Sequence, residues 1–406
     1  MSQQRLHLFE SFGVELEFMI VHQQTLEVLP LVESLFRQIS PGNPKIINRD
    51  IVTWAPKSMP HVFELRSTQP EANFNTLAHT FADEIEFINK WLSDKEGMLL
   101  PTAMHPFLTI PEAEKWSTTH VASSFFHPTP FSDQHAWVNS QSTQLSLPFF
   151  DDEEFGKLHT ALRLLLPIIP ALCASSPVVE GAITQRMNNR LFYYQEVRKS
   201  RPAAVGKFIP EAVFSERKYK SMILGPLEKE VGQSGANLAP WNGRAAIPHF
   251  DRGSLEIKIM DGQECPAAEL AIITLIIESL KALVDERWVT FEQQQKVGSE
   301  ILSGILYETR EAGRQAHIYT SEYPALFGID GFTTAGQIWQ KIHDRLLAEE
   351  NHPVSEYAPE LEIMMTEGPL AERIVKSIGR NGSKDQIATV YHKLSWCLNQ
   401  NKIYVP

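Results

Sequence analysis

Four short segments of this chain alternate polar and apolar residues with the period of a β-strand, and that alternation restricts the fold more than any other feature. Gly13-Val14-Glu15-Leu16-Glu17-Phe18-Met19, His61-Val62-Phe63-Glu64-Leu65-Arg66-Ser67, Ser142-Thr143-Gln144-Leu145-Ser146-Leu147-Pro148 and Ser254-Leu255-Glu256-Ile257-Lys258-Ile259-Met260 each gather their apolar side chains on one face, because successive strand residues point to opposite sides. The other face then carries Glu15 and Glu17, Glu64 and Arg66, Gln144 and Ser146, and Glu256 and Lys258. A solvated polar face of an antiparallel sheet is the ordinary reading of such a pattern. Glutamate is a poor strand former, however, and it recurs in three of the four segments, with Glu15 and Glu17 placed where like charges repel. A hard cation would relieve that repulsion, and carboxylate oxygens are the ligands that Mg²⁺ or Mn²⁺ prefers. With Arg66 and Lys258 alongside, such a face is suited to phosphoryl transfer from a nucleotide.

Beyond Cys265 the pattern changes. The spacing of apolar residues predicts helices over Ala267–Glu286, Glu300–Ala316, Thr334–Glu349, Gly368–Ile378 and Lys384–Leu398, the last capped by Ser383 behind an Asn381-Gly382 turn. Strands followed by a run of helices imply an α+β fold, with an antiparallel sheet covered by helices on one face. No Pro/Gly/Ser-rich linker divides the chain, so the expectation is one domain over residues 1–406, its sheet within about 10–265 and residues 266–406 mostly helical.

Composition narrows the function classes. The 37 Lys and Arg against 49 Asp and Glu leave a net charge of −12, and without a long basic run a nucleic-acid partner is not expected. Cys173, Cys265 and Cys397 lie far apart with no C-x-x-C spacing, which implies neither disulfides nor a zinc finger and a reducing, cytoplasmic setting. Residues 1–10 hold no apolar signal core, and Leu164–Ala174 and Leu270–Ile277 fall short of a membrane span. A homo-oligomer is allowed, although nothing in the sequence sets a subunit number. Phosphate-loop, dinucleotide, zinc-protease and nucleophile-elbow motifs are absent, and Ser215-Glu216-Arg217-Lys218 fits only the short S-x-x-K pattern. Any ATP must be bound without a P-loop.

Five motifs in order carry a resemblance. Gly13-Val-Glu-Leu-Glu17, Phe63-Glu-Leu-Arg-Ser67, Met104-His-Pro-Phe107, Pro170-Ala-Leu-Cys-Ala-Ser-Ser-Pro-Val-Val-Glu-Gly181 and Ser254-Leu-Glu-Ile-Lys-Ile-Met-Asp261 resemble those of the second glutamate–cysteine ligase family, from about residue 10 to 280. That resemblance implies a curved, glutamine-synthetase-like antiparallel sheet whose concave face holds Mg²⁺ or Mn²⁺ bridging ATP and substrate. It implies an acyl phosphate formed from a glutamate side chain, displaced by an amine such as cysteine, as in glutathione biosynthesis. Glu15, Glu17, Glu64 and Glu256 fall on its metal-ligand positions. Lys258 falls where the family usually has Arg beside the transferring phosphate, Arg190 where an Arg meets the substrate carboxylate or acyl phosphate, and Thr184 on a neighbouring substrate position. His105 lies in the His-Pro-Phe motif as a candidate substrate contact, and Arg66 joins the catalytic cations.

The departures are specific. The family's H-V-H-V-G segment reads Gln144-Leu-Ser-Leu-Pro148, so Gln144 and Ser146 are weaker, neutral candidate ligands, with His135 a candidate replacement beside Trp137. Pro60 stands where a second acid is expected, and Ile247-Pro248 replaces Arg-Pro, leaving Arg252 as a substitute. Lys258 offers a point charge instead of a bidentate fork. The segment Gly232–Ala245 is a candidate lid with Trp241 and Arg244 engaging nucleotide. Two other readings stay open: a relative that binds nucleotide or amino acid without catalysis, and a guanidino-type phosphotransferase.

Overall fold

The computed structural model describes residues 5–42, 45–115, 135–197, 199, 201–232, 238–379 and 381–406. Among the described residues ten strands occur up to Asp261: β1 (Gly13–His22), β2 (Ile47–Arg49), β3 (Val52–Pro56), β4 (Val62–Ser67), β5 (Gly97–Leu100), β6 (Ser142–Pro148), β7 (Val178–Val179), β8 (Ala182–Ile183), β9 (Ala246–His249) and β10 (Ser254–Asp261). Eight of them form one sheet in the order β2-β3-β4-β1-β6-β10-β9, with β5 added beside β1. Every ladder in it is antiparallel. The four expected strands are its centre. Long β1 serves two neighbours on one side, its first half pairing with β6 and its second with β5.

Register decides which residues share a face. Glu15 lies opposite Arg66 on β4 and Gln144 on β6, Glu17 opposite Glu64, and Ser146 opposite both Gly13 and Glu256. Directly opposed residues point to the same side, so these polar side chains form one surface. Val14, Leu16, Phe18, Phe63, Leu65, Leu145, Leu147, Leu255 and Ile257 point the other way and are at most 3% exposed. They form one core with three helices: α1 (Phe74–Ser93), α2 (Asp152–Leu165) and α3 (Pro266–Val284). α3 is buried on nearly all sides, because its run of Leu, Ile and Ala has no polar stripe to present to water.

Leu164–Ala174 proves to be the end of a longer helical run. Asp152–Cys173 spans 22 residues and is long and apolar enough to cross a membrane, but its most apolar 18-residue window is 94% buried inside the protein, as for a core helix.

The C-terminal third follows the expected helical pattern, with additions and one shortened helix. Helices α4 (Ser299–Ala312), α5 (Ala335–Leu347), α6 (Ala358–Glu367), α7 (Leu370–Ile378) and α8 (Lys384–Asn399) are present, and Ser383 caps α8 through Gln386 N. α4 stops short of Ala316 because Gly313 adopts a left-handed φ of 58°. The unexpected α6 follows a 3₁₀ turn over Pro353–Tyr357; both elements carry their proline in the first turn, where the missing N–H has no partner to lose. His317–Ile318 pairs with Thr333–Thr334, the one strand pair of this third among the described residues.

Candidate functional site

Gln144 and Lys258 show how the strands build the polar face. β10 slips register between Ile257 and Met260, and such a bulge re-aims a side chain. Lys258 Nζ reaches back to Gln144 Oε1 at 3.0 Å and Glu256 Oε1 at 3.3 Å. Gln144 turns its amide nitrogen to Glu17 Oε1 at 3.3 Å. His249 on β9 joins from the edge, with Nε2 2.8 Å from Glu256 Oε2. Burial opposes ionisation of Glu256, but the charge of Lys258 and the His249 hydrogen bond hold its carboxyl down at about 2.

Glu17 is more heavily engaged. Lys57 Nζ approaches its Oε1 at 2.7 Å, while the Ser142 backbone N–H and hydroxyl donate to its Oε2 at 2.7 and 3.1 Å. The same ammonium lies 2.8 Å from Glu64 Oε2, and Arg66 Nη1 lies 3.3 Å from Glu64 Oε1. The tight turn after β3, closed by Lys57 N–H to Val62 O and Val62 N–H to Met59 O, places Lys57 there. Although burial disfavours both charges, the Lys57 ammonium keeps the Glu17 carboxyl below its ordinary range, and Glu17 and Glu64 raise Lys57 above its own.

Glu15 has none of this support. Among the described residues no hydrogen bond or ion pair reaches its carboxylate, and burial together with the charges of Glu64 and Glu256 pushes it up to about 7.

Two cavities open on this face. One of 580 Å³ is lined by Glu17, Lys57, Glu64, Gln144, Arg190 and Lys258, with Trp137 and Tyr194 at its wall. The other, of 310 Å³, lies toward the start of β1 and is lined by Glu15, Arg66, Ser146, Arg252 and Ser254. Gly13 belongs to its floor, and a Cβ there would stand 3.1 Å from Ser146 Cβ, too close to fit without movement.

Arg190 enters on the helix Asn189–Glu196, capped by the Asn188 side chain, and lines the larger cavity. Its Nε is bound to buried Asp261 at 2.6 Å and its Nη2 to Met260 O at 2.9 Å, so the guanidinium is largely occupied in clamping the end of β10. Arg252 donates to Ser254 Oγ at 2.9 Å. Thr184 accepts from Asn189 Nδ2 at 2.7 Å and braces the entry to that helix, lining neither cavity. His105 is buried behind another surface, with Nε2 on Leu26 O at 2.6 Å and Nδ1 accepting from Phe107 and Leu108 N–H; burial drives its pKa to about 4.

Arg244 is fixed in the protein interior by a two-pronged pair with Glu211 at 2.7 and 2.6 Å, not carried on a lid, because Glu211 and the Ala203 and Ala204 carbonyls match its fork. Half-buried Trp241 belongs to a 3₁₀ turn, and residues 233–237 of the expected lid lie outside the described residues. His135 stands 3.3 Å from Glu180, and Asp133 and Gln134 before it also lie outside the described residues. Ser215 of the S-x-x-K pattern caps a short helix by accepting from Lys218 N–H. All three cysteines are buried.

Sequence reasoning missed Lys57, His249 and Asp261. Lys57 sits between Pro56 and Pro60, which masked strand β3. His249 had a usable signal: the β9–β10 register puts it on the face of Glu256, one pair removed.

A divalent ion would draw its ligands from the acids of this face. Among the described residues no three His, Cys, Asp or Glu side chains converge closely enough to hold one. The unpartnered Glu15 carboxylate fits a hard cation whose other ligands are phosphate oxygens and water. The Glu17–Glu64 pair does not fit one, since Lys57 fills the space between them.

Comparisons with known proteins agree on a family and a fold. The family model for glutamate–cysteine ligase family 2 matches residues 11–303. An uncharacterized protein of Archaeoglobus fulgidus is 28% identical over 401 residues, covering 97% of this chain and 100% of that one. A bifunctional glutathione synthetase from Pasteurella multocida superposes with a TM-score of 0.57 at 14% identity, over 96% of this chain and 52% of its own, so this chain spans about half its length. A glutamate–cysteine ligase from Francisella tularensis, solved in complex with AMP, gives a TM-score of 0.57 at 9% identity, over 98% of this chain and 90% of its own. At these identities the two solved structures establish the shared fold.

Proposed function

The chain belongs to glutamate–cysteine ligase family 2, and from that premise we propose that it is an ATP-dependent carboxylate–amine ligase acting on the side-chain carboxylate of glutamate. One observation carries this reading: two cavities open on a single polar face, and the acids of β1 and β4 divide between them, with Arg66 in one and Lys258 in the other. The smaller cavity suits the phosphates of a nucleotide and the larger one the amino-acid substrates.

In the first step a carboxylate oxygen attacks the γ-phosphorus and ADP leaves. In the second an amine attacks the acyl carbon, loses a proton and expels phosphate. Little covalent work falls to the protein in such a transfer, so positioning and charge stabilisation dominate. Lys258, tethered to Gln144 and Glu256, and Arg66, tethered to Glu64, are positive groups held in place before substrate arrives. Arg190 lines the larger cavity, and its charge suits the substrate carboxylate. Glu15, with Glu256 and Ser146 near it, would hold Mg²⁺ or Mn²⁺, which supplies neutralisation of phosphate charge when bound.

The test is ADP release, measured with glutamate and a panel of amines including cysteine. ADP, phosphate and a γ-glutamyl amide in equal amounts, dependent on a divalent ion, are expected; no ATP turnover with any glutamate–amine pair would overturn the reading. The positive groups already set among the acids favour one alternative, a relative that binds nucleotide without catalysis, recognised by metal-independent nucleotide binding and no turnover.

A further inference from the structure

We infer that Lys57 is a built-in counter-cation of the acidic face, its ammonium occupying the position between Glu17 and Glu64 that a divalent ion would otherwise take. The inference rests on the reading of this face as cation-binding and deepens it by fixing how many ions it accepts.

Three observations support it. Lys57 Nζ touches one oxygen of each carboxylate, at 2.7 and 2.8 Å, the separation of a charge-assisted hydrogen bond. Glu17 has no acceptor site to spare, because its two oxygens also receive the Ser142 N–H, the Ser142 hydroxyl and the Gln144 amide. Of the four acids on the face, Glu17, Glu64 and Glu256 each touch a cation (Lys57, Arg66 or Lys258), and among the described residues only Glu15 of the four has no such contact. A magnesium-sized ion requires oxygens at about 2.1 Å in a near-octahedral shell. It cannot share the Glu17–Glu64 gap with an ammonium already in contact with both.

The effect is to hold these two acids and the strands that bear them in fixed geometry without a metal. Lys57 is therefore a positioning residue. It also lines the larger cavity, so an anionic substrate group there meets an ammonium instead of two bare carboxylates.

Mn²⁺ binding, counted by the loss of the free-ion resonance, tests this without any turnover. The wild-type protein is expected to bind at most one Mn²⁺ per chain, alone or with ADP. Lys57→Met, which keeps the stem and removes the charge, is expected to bind one more, and adding Glu17→Gln is expected to abolish that extra ion. Acylation supplies a readout that needs no substitution: Lys57 is expected to stay protected from acetic anhydride as Mn²⁺ is raised. Two ions on the wild type, a folded Lys57→Met protein with no added ion, or Mn²⁺-dependent exposure of Lys57 to acylation would each overturn the inference. If Lys57→Met does not fold, the wild-type count and the acylation decide. Absence of ligase activity would leave all of these measurements standing, so the two readings fail separately.

Discussion

Glu15 and Glu17 lie two residues apart on one strand and face the same way, yet they are opposites electrostatically. Glu17 receives hydrogen bonds or an ion pair from Lys57, Ser142 and Gln144 and is held below the ordinary carboxylate range. Glu15 receives none and is pushed up to about 7. The strand itself cannot cause the difference. It comes from the neighbours: Glu17 faces Glu64 and the turn bearing Lys57, whereas the Arg66 opposite Glu15 leans to Glu64 instead. Glu17 is held in the scaffold by its partners and half-buried Glu15 has none among the described residues, and a buried charge is tolerated only when something pairs with it.

The sharpest way to break this comparison is to neutralise each acid in turn. Glu15→Gln is expected to lower ligase turnover by about 10³-fold or more, roughly 4 kcal/mol of barrier, while raising the thermal stability of the metal-free protein by removing an unpaired charge. Glu17→Gln is expected to do the reverse, costing about 1–3 kcal/mol of stability with a smaller loss of metal-dependent nucleotide binding. Denaturation curves and nucleotide titrations on the two variants check this; equal effects in both would sink the distinction.

Much of this was legible in the sequence, for reasons that also mark the limit. Period-two alternation located β1, β4, β6 and β10 and the face bearing Glu15, Glu17, Glu64 and Glu256, since those strands are half buried and the pattern is enforced by the core. Helical spacing located α4, α5, α7 and α8 for the same reason. Lys57 was not legible, because it lies on an irregular turn between two prolines and its role depends on a contact formed only when β3 meets β4. Arg244 was singled out as part of a flexible-looking segment and Thr184 by motif position, and neither signal reveals that Glu211 and Asn189 already occupy them.

Asp261 belongs to a pair more deeply buried than those on the polar face. It is 0% and Arg190 2% exposed, and Arg190 Nε meets its Oδ1 at 2.6 Å. Its other oxygen accepts from Ser175 N–H and the Ser176 hydroxyl. Asp261→Asn leaves the guanidinium buried without its counter-charge, and a loss of about 3 kcal/mol is expected, seen as a lowered urea midpoint. A double-mutant cycle with Arg190→Met separates the pair from its surroundings; a variant as stable as wild type would show that the clamp contributes little.

Glu269, on the apolar side of the same sheet, meets a third fate: it is kept uncharged. It stands in the first turn of α3, 4% exposed, accepting from Thr143 Oγ1 at 2.7 Å, and burial raises its pKa to about 8. The sign follows from linkage. The folded protein keeps a proton that the unfolded chain releases near the ordinary carboxylate value of 4.5. Its contribution to stability is therefore fully present below that value and is lost as pH rises through about 8. Glu269 also accepts from the Gln263 backbone N–H; Glu269→Gln has no proton to lose, and its amide can still accept from that N–H and donate to the Thr143 hydroxyl. The variant is expected to lie close to wild type near pH 5 and to exceed it by about 4 kcal/mol near pH 9. Urea unfolding at the two pH values reads this directly, and a difference that does not change with pH would show that Glu269 is ionised in the folded protein. In that case the apolar side of the sheet would tolerate a charge as well as the polar face does, and the contrast between Glu15 and Glu17 would need a cause other than pairing.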